Sequence, residues 1–175
     1  MIETITHKFY SPENPPPHSI AEQLTNAIAA ESKMRDVDMR TLLASPLSVV
    51  YTLGNQLAAF GRLKRPEEFP IQSITLDEGE RNISLDSALQ LGSLWVHPAH
   101  RREGLAVAVI RSFENNVPED FSLQTLYAFC RTQSSQQRFF KAGYTQGIAH
   151  TSDEEQRACV VRDLSAARAL QSQVA

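Results

Sequence analysis

Apolar and polar positions alternate through Ile5, His7 and Phe9, which predicts a first strand, and Pro15-Pro16-Pro17 then interrupts regular structure as a stiff linker. Ser19-Ile20-Ala21-Glu22 has the form of a capping box, with Ile20, Leu24 and Ile28 following at four-residue spacing, so a first helix is expected from there to about Lys33. Met39, Leu42 and Leu43 suggest a short helix over 38–44, which Pro46 stops. Leu47 to Leu53 and Gln56 to Leu63 are apolar runs around the two-residue turn signal Gly54-Asn55 and read as an antiparallel hairpin. The segment 64–87 is weakly patterned, with prolines at 66 and 70, an acidic stretch at Asp77-Glu78-Gly79-Glu80, and a short strand suggested at Ile71 to Leu76.

Ala88 to Val96 reads as a buried strand ended by Pro98, which has no ladder donor. Gly104 opens the clearest helix, with Leu105, Ala108, Val109, Ser112 and Phe113 on one face and Asn115-Asn116-Val117-Pro118 as its stop. Ser122 to Cys130 follows as a strand. Ser134 with Gln137 suggests a second capping box and a helix through Lys141, with Gly143 at its C-terminal end. Tyr144 to His150 and Arg157 to Leu164 are expected as two closing strands. This order predicts an α+β fold with a mixed sheet, residues 1–164 forming a single domain and 165–175 a tail.

The chain has 175 residues, 42% hydrophobic and 21% charged, which is ordinary globular usage and excludes a disordered or disulfide-stapled class. The longest apolar run, Leu105 to Ile110, is far below the ~18 residues a spanning helix needs, and Met1-Ile2-Glu3 opens no signal peptide. The expected location is cytoplasmic, with no membrane partner. Seventeen basic against twenty acidic residues lack the surplus that nucleic acid attracts, so no nucleic-acid partner is expected. Cys130 and Cys159 sit in no metal-ligand spacing; packed free thiols and no metal are expected.

The informative stretch runs from Gly92 to Ala106, a buried strand passing through a basic turn, Arg101-Arg102-Glu103, into a helix that starts at Gly104. A helix start leaves about four N–H groups unpaired, and the macrodipole adds roughly half a positive charge there, so a pyrophosphate can bind without dedicated side chains. Gly104 lacks a Cβ and lets backbone approach phosphate, small Ala106 leaves room beside it, and Arg101 and Arg102 add charged donors. A solvated turn capping a core helix would carry the same residues, and the residues alone leave both readings open.

Arg101-x-x-Gly104-x-Ala106, preceded by Val96-x-Pro98, resembles the acyl-CoA-binding motif of the GNAT superfamily of N-acetyltransferases. The segment order agrees over most of residues 1–164, and Leu123 to Cys130 with Ser134 to Tyr144 is similar to the family's second cofactor motif. The resemblance implies a mostly antiparallel central sheet flanked by helices and an enzyme that moves an acetyl group from acetyl-CoA to a primary amine of a small molecule or peptide by direct transfer. It implies that the backbone of Leu94, Trp95 and Val96 holds the pantetheine arm. The N–H groups of Arg102, Glu103, Gly104, Leu105 and Ala106, with the Arg101 side chain, would hold the pyrophosphate. Thr132 and Phe139 fall on further cofactor positions. The strand ending at Cys130 would splay from its neighbour, opening a notch for the thioester and amine.

Three positions depart from the family pattern. Gln90 stands where many relatives carry a glutamate base, Phe139 where a tyrosine acid is common, and Thr132 where an asparagine is common. An amide takes no proton from an ammonium, so no catalytic residue is assigned. Tyr127 as a proton donor, His97 as a shuttle and Cys130 as an acyl acceptor each compete with a plainer role: a packed tyrosine, a cap and a packed thiol. Trp95 is expected to pack against core or cofactor. Acidic Glu31, Asp36, Asp38, Asp77, Glu78 and Glu80 would rim the amine side by analogy or be solvated surface. The alternatives are a non-catalytic acyl-CoA-binding sensor or scaffold, and an unrelated interaction domain. An exposed strand edge would allow a homodimer.

Overall fold

A computed structural model describes residues 4–30, 40, 44–65, 71–76, 81–117, 124–151 and 155–165. The chain forms two compact units, Met1–Leu63 with Gly92–Phe113 and Lys64–Leu91 with Glu114–Ala175.

In the first unit, β1 (Ile5–Tyr10) pairs antiparallel with β2 (Ser48–Leu53), Ile5 opposite Leu53 and Tyr10 opposite Ser48. β2 turns through Gly54-Asn55 into β3 (Gln56–Lys64), as the hairpin signal predicts, with Gly54 at φ 57°. The later residues of β6 (Ala88–Val96) lie beside β3. Helix α1 (His18–Ala30) lays Ile20, Leu24 and Ile28 against Val50, Leu57, Phe60 and Trp95. Gln23 pins it: its Oε1 accepts from Leu57 N at 2.7 Å and its Nε2 donates to Asn55 O at 3.0 Å.

The start of α1 differs from the capping-box expectation. The carbonyl of Pro17 accepts from Ile20 N and Ala21 N, both at 3.0 Å, so the helix begins at His18 and Ser19 lies inside its first turn. Proline holds φ near a helical value, and its carbonyl supplies the first bond that the serine was expected to organise. Of the helix expected over 38–44, only Arg40 and Ala44 are described; Ala44 N donates to Arg40 O at 2.9 Å.

Helix α2 (Leu105–Asn116) buries Leu105, Val109, Ile110, Ser112 and Phe113, the periodic face expected of it except that Ile110 replaces Ala108. Gly61 on β3 admits this face. A Cβ there would stand 2.7 Å from Val109 Cγ1 and 3.1 Å from Phe113 Cε2, both on wholly buried side chains.

The second unit contains β4 (Ile71–Leu76), β5 (Arg81–Ile83), the first residues of β6, β7 (Thr125–Ala128), α3 (Gln133–Lys141), β8 (Thr145–Thr151) and β9 (Gln156–Asp163). Hydrogen-bonded neighbours run β6-β7-β9-β8-β4-β5. β6 and β7 are parallel over Ala88↔Thr125, Leu89↔Leu126 and Gln90↔Tyr127; the remaining registers are antiparallel. The architecture is thus the expected α+β type with a mostly antiparallel sheet and, among the described residues, three helices. Strand β5 has no counterpart in the sequence reading because three residues are too few to display an alternation. Ile71, Ile74, Leu76, Tyr127, Cys159 and Val161 are central to this unit's core. Among the described residues no helix is long and apolar enough to cross a membrane.

The contact of Gly61 with α2 makes a stability prediction. Gly61→Ala should destabilise the protein by about 1–3 kcal/mol through overpacking, lowering Tm by roughly 2–4 °C per kcal/mol. A melting curve superimposable on the wild type would contradict this packing.

Candidate functional site

The end of β6 is not regular. Ser93 has φ 53°, a left-handed residue inside a strand, which bends the strand and redirects the peptide groups after it. Its Oγ accepts from Arg62 Nε at 3.1 Å, and Arg62 Nη1 donates to Ser45 Oγ, also at 3.1 Å. Arg62 is only 1% exposed. Beyond this point Leu94 and Val96 are half-buried, while the Trp95 side chain is buried beside Phe60, ring centres 6.1 Å apart, and belongs to the α1 core.

The turn is then built by local bonds. His97 N donates to Ala58 O at 2.8 Å, and His97 Nδ1 accepts from Ala99 N at 3.2 Å, capping a 3₁₀ turn over Pro98–His100. His97 therefore has the capping role. Arg101 Nε donates to Val96 O at 3.2 Å, which folds the arginine back along the end of the strand, and His100 Nδ1 lies 3.3 Å from Glu103 Oε2.

Arg102 at φ 75° and Gly104 at φ 83° bracket the last step into α2. Gly104 O accepts from Val107 and Ala108 N at 3.0 and 3.1 Å, closing the first helical turn. Among the described residues, no backbone carbonyl accepts from the N–H groups of residues 102–106, and Arg102, Glu103 and Gly104 are exposed. Left-handed residues interposed in a turn make a concavity of N–H groups, and the α2 dipole adds positive potential at the same end. A Cβ placed on Gly104 would have nothing within 4 Å, so the space beside this glycine is open. The structure thus brings Leu94 through Ala106 together in the first unit as strand end, basic turn and helix start.

Thr132 and Phe139 belong to the second unit. Thr132 caps α3: its Oγ1 accepts from Ser135 N at 3.1 Å and the Ser135 side chain answers the Thr132 N–H at 3.2 Å. This box replaces the one expected at Ser134 and Gln137, because Thr132 already has the extended φ of −140° that a cap needs. Phe139 is buried edge-on to Tyr144 at 5.0 Å. Burial raises the Tyr144 hydroxyl above its ordinary range, Glu114 adding to the effect and Arg162 opposing it. Gln90 is 8% exposed opposite Tyr127, itself wholly buried in the core, and no donor among the described residues reaches Gln90 Oε1.

Cys130 and Cys159 line one cleft of about 190 Å³ together with Thr132 and Gln136. Burial pushes the Cys159 thiol up to about 12, with Cys130 adding to it. Burial also raises Cys130, partly offset by a hydrogen bond from Ser135. Among the described residues no group of three His, Cys, Asp or Glu side chains could hold a metal ion. The acidic rim candidates Glu31, Asp36, Asp38, Asp77, Glu78 and Glu80 lie outside the described residues.

Sequence reasoning missed Ser93, Arg62 and Ser45. The one visible signal was Arg62 itself, a charged residue inside the apolar run from Leu57 to Leu63.

The sequence matches no family model and no curated protein. The fold is that of the GNAT N-acetyltransferases. An acyl-CoA N-acyltransferase from Pseudomonas aeruginosa superposes with TM-score 0.61 at 11% identity, over 91% of this chain and 99% of that one. A Salmonella typhimurium protein described as an acetyltransferase, solved with its cofactor acetyl-CoA, gives 0.57 at 15% identity over 91% and 94%. A protein described as an acetyltransferase of the GNAT family from Desulfovibrio desulfuricans gives 0.58 at 12% identity over 92% and 99%.

The thiolate is the nucleophilic form, so raised thiols make both cysteines slow. Native protein at pH 7.5 should react with a thiol reagent far more slowly than after unfolding, and the native rate should still be climbing above pH 9. Labelling of both cysteines at the rate of a free thiol at pH 7.5 would contradict this burial.

Proposed function

We propose that this protein is an N-acyltransferase that moves an acetyl group from acetyl-CoA to a primary amine of a small molecule or peptide by direct transfer. The observation that carries the reading is the row of N–H groups over 102–106 that meet no backbone acceptor among the described residues, beside the left-handed Arg102 and Gly104 at the start of α2. The likeness in fold to solved acetyltransferases supports it.

In this reading the N–H groups of residues 102–106 donate to the pyrophosphate, the α2 dipole adds to their pull, and the open space beside Gly104 lets backbone and phosphate approach. Arg101 contributes positive charge while its Nε holds Val96 O, fixing the turn to the strand. The parallel register of β6 with β7 ends at Gln90, and the backbone of Leu94, Trp95 and Val96, beyond it, aligns the pantetheine arm like an added strand. Acetyl-CoA supplies the activated thioester, from which the acyl carbon passes to the amine nitrogen with departure of the thiolate. Gln90, an amide at the position where the resemblance implies a glutamate base, takes no proton, so the amine is used in its neutral form and its proton leaves to solvent. Positioning provides the acceleration. Phe139 donates no proton, and the Thr132 hydroxyl is engaged in the α3 cap.

Those same three residues favour a second reading, an acyl-CoA-binding module without catalysis. Acetyl-CoA binding with no thiol release across a library of amines would select it. The cytoplasmic location, the absence of nucleic-acid, membrane and metal partners, and the capacity for a homodimer through an exposed strand edge belong to the proposal as well.

Gly104→Ala and Gly104→Glu test the anion seat as a pair, since both place a Cβ in the left-handed region and share that strain, about 1–3 kcal/mol. Only the second puts a carboxylate beside the phosphates. Calorimetry should show acetyl-CoA binding weakened by at least about tenfold more in Gly104→Glu than in Gly104→Ala. Equal affinities in the two variants would remove the seat from this position.

A further inference from the structure

A buried guanidinium braces the strand that the proposed function assigns to the pantetheine arm. We infer that Arg62 is a positioning residue for acyl-donor binding: by holding Ser93 in its left-handed conformation it sets the direction of the β6 peptide groups from Ser93 to Val96. This inference rests on the acyl-CoA reading above.

Three observations on one unit carry it. Ser93 is a non-glycine residue at φ 53° within β6, a conformation disfavoured for any residue with a Cβ unless its surroundings hold it. The Ser93 hydroxyl accepts from Arg62 Nε at 3.1 Å, and the same guanidinium donates through Nη1 to Ser45 Oγ at 3.1 Å, so one rigid fork ties the bend in β6 to the segment leading into β2. Arg62 is 1% exposed and Ser45 likewise 1%, so the bond between them is shielded from water, and Ser93 is half-buried. Arg62 is itself fixed on β3 by its register opposite Ser48, and Leu63 N donates to Leu47 O at 2.8 Å. The brace therefore reaches Ser93 from a rigid strand. Charge alone would not do this, because lysine presents a single point of donation where arginine spans two hydroxyls.

Replacing Ser93 separates conformation from chemistry. Ser93→Ala removes the acceptor and keeps the Cβ, so the strand relaxes toward extended geometry. Ser93→Gly removes the acceptor too, but glycine takes the left-handed conformation without a brace. Acetyl-CoA affinity of the full-length protein by calorimetry, and KM for acetyl-CoA against kcat where transfer is detectable, are the readouts. The expected pattern is a loss of about tenfold in affinity in Ser93→Ala, equivalent to about 1.4 kcal/mol, with most of it recovered in Ser93→Gly. Arg62→Lys should resemble Ser93→Ala, and if Arg62→Lys fails to fold, the two Ser93 variants decide the matter.

Equal affinity of wild type and Ser93→Ala would overturn the inference while leaving the acyl-CoA reading intact. Equal losses in Ala and Gly variants would also overturn it, by showing that the hydroxyl matters for itself. Wild-type protein that binds no acetyl-CoA would overturn the acyl-CoA reading and this inference with it.

Discussion

A helix start leaves N–H groups that no preceding carbonyl reaches, and in this protein those of residues 102–106 meet no backbone acceptor among the described residues, with Arg102 and Gly104 both left-handed. The first unit is arranged around that constraint. Phe113 and Val109 lock α2 against β3 through the gap left by Gly61, so the helix axis and its dipole are held by core packing. His97 caps the 3₁₀ turn and Arg101 clasps the end of β6, so the approach to the helix is fixed by hydrogen bonds before any ligand arrives. If this turn is the acyl-CoA seat proposed for it, building it in advance avoids the entropy of ordering a loop upon association. The chemistry proposed for it draws on this geometry: the backbone donors would select an anion, and an extended arm would lie along the strand before them.

In the second unit, Gln90 and Phe139 stand at the positions where the family resemblance implies a base and an acid. Gln90 lies on a paired segment of β6 with its carbonyl oxygen buried and without a donor among the described residues, and Phe139 turns an apolar ring toward Tyr144. Neither residue moves a proton. Under the proposed transfer, such an enzyme would depend on the approach geometry of a neutral amine and on solvent for its protons. The same arrangement is what a binding module would have, so the proposed acyl-donor seat and the proposed transfer step are separable.

Much of this arrangement was legible in the sequence. The hairpin around Gly54-Asn55, the buried strand from Ala88 to Val96 and the helix after Gly104 each carried a strong local signal: a turn dipeptide, an apolar run ended by proline, and a repeating apolar face. Local signals misplaced the two caps. Ser19 and Ser134 have the right residue types, but Pro17 and Thr132 stand where the backbone already turns, and tertiary context decided between them. The brace at Arg62 was not legible, since its partners Ser45 and Ser93 come from distant segments and a left-handed serine has no sequence signature. Strand β5 escaped because it exists through pairing with β4 alone.

If acyl-CoA is held by the backbone of β6 and the start of α2, as proposed, backbone protection reports it most directly. Amide hydrogen exchange of the full-length protein, with and without saturating acetyl-CoA, reads those N–H groups themselves. Slowed exchange is expected in peptides covering residues 94–96 and 102–106. Unchanged exchange there, or protection confined to other segments, would contradict it.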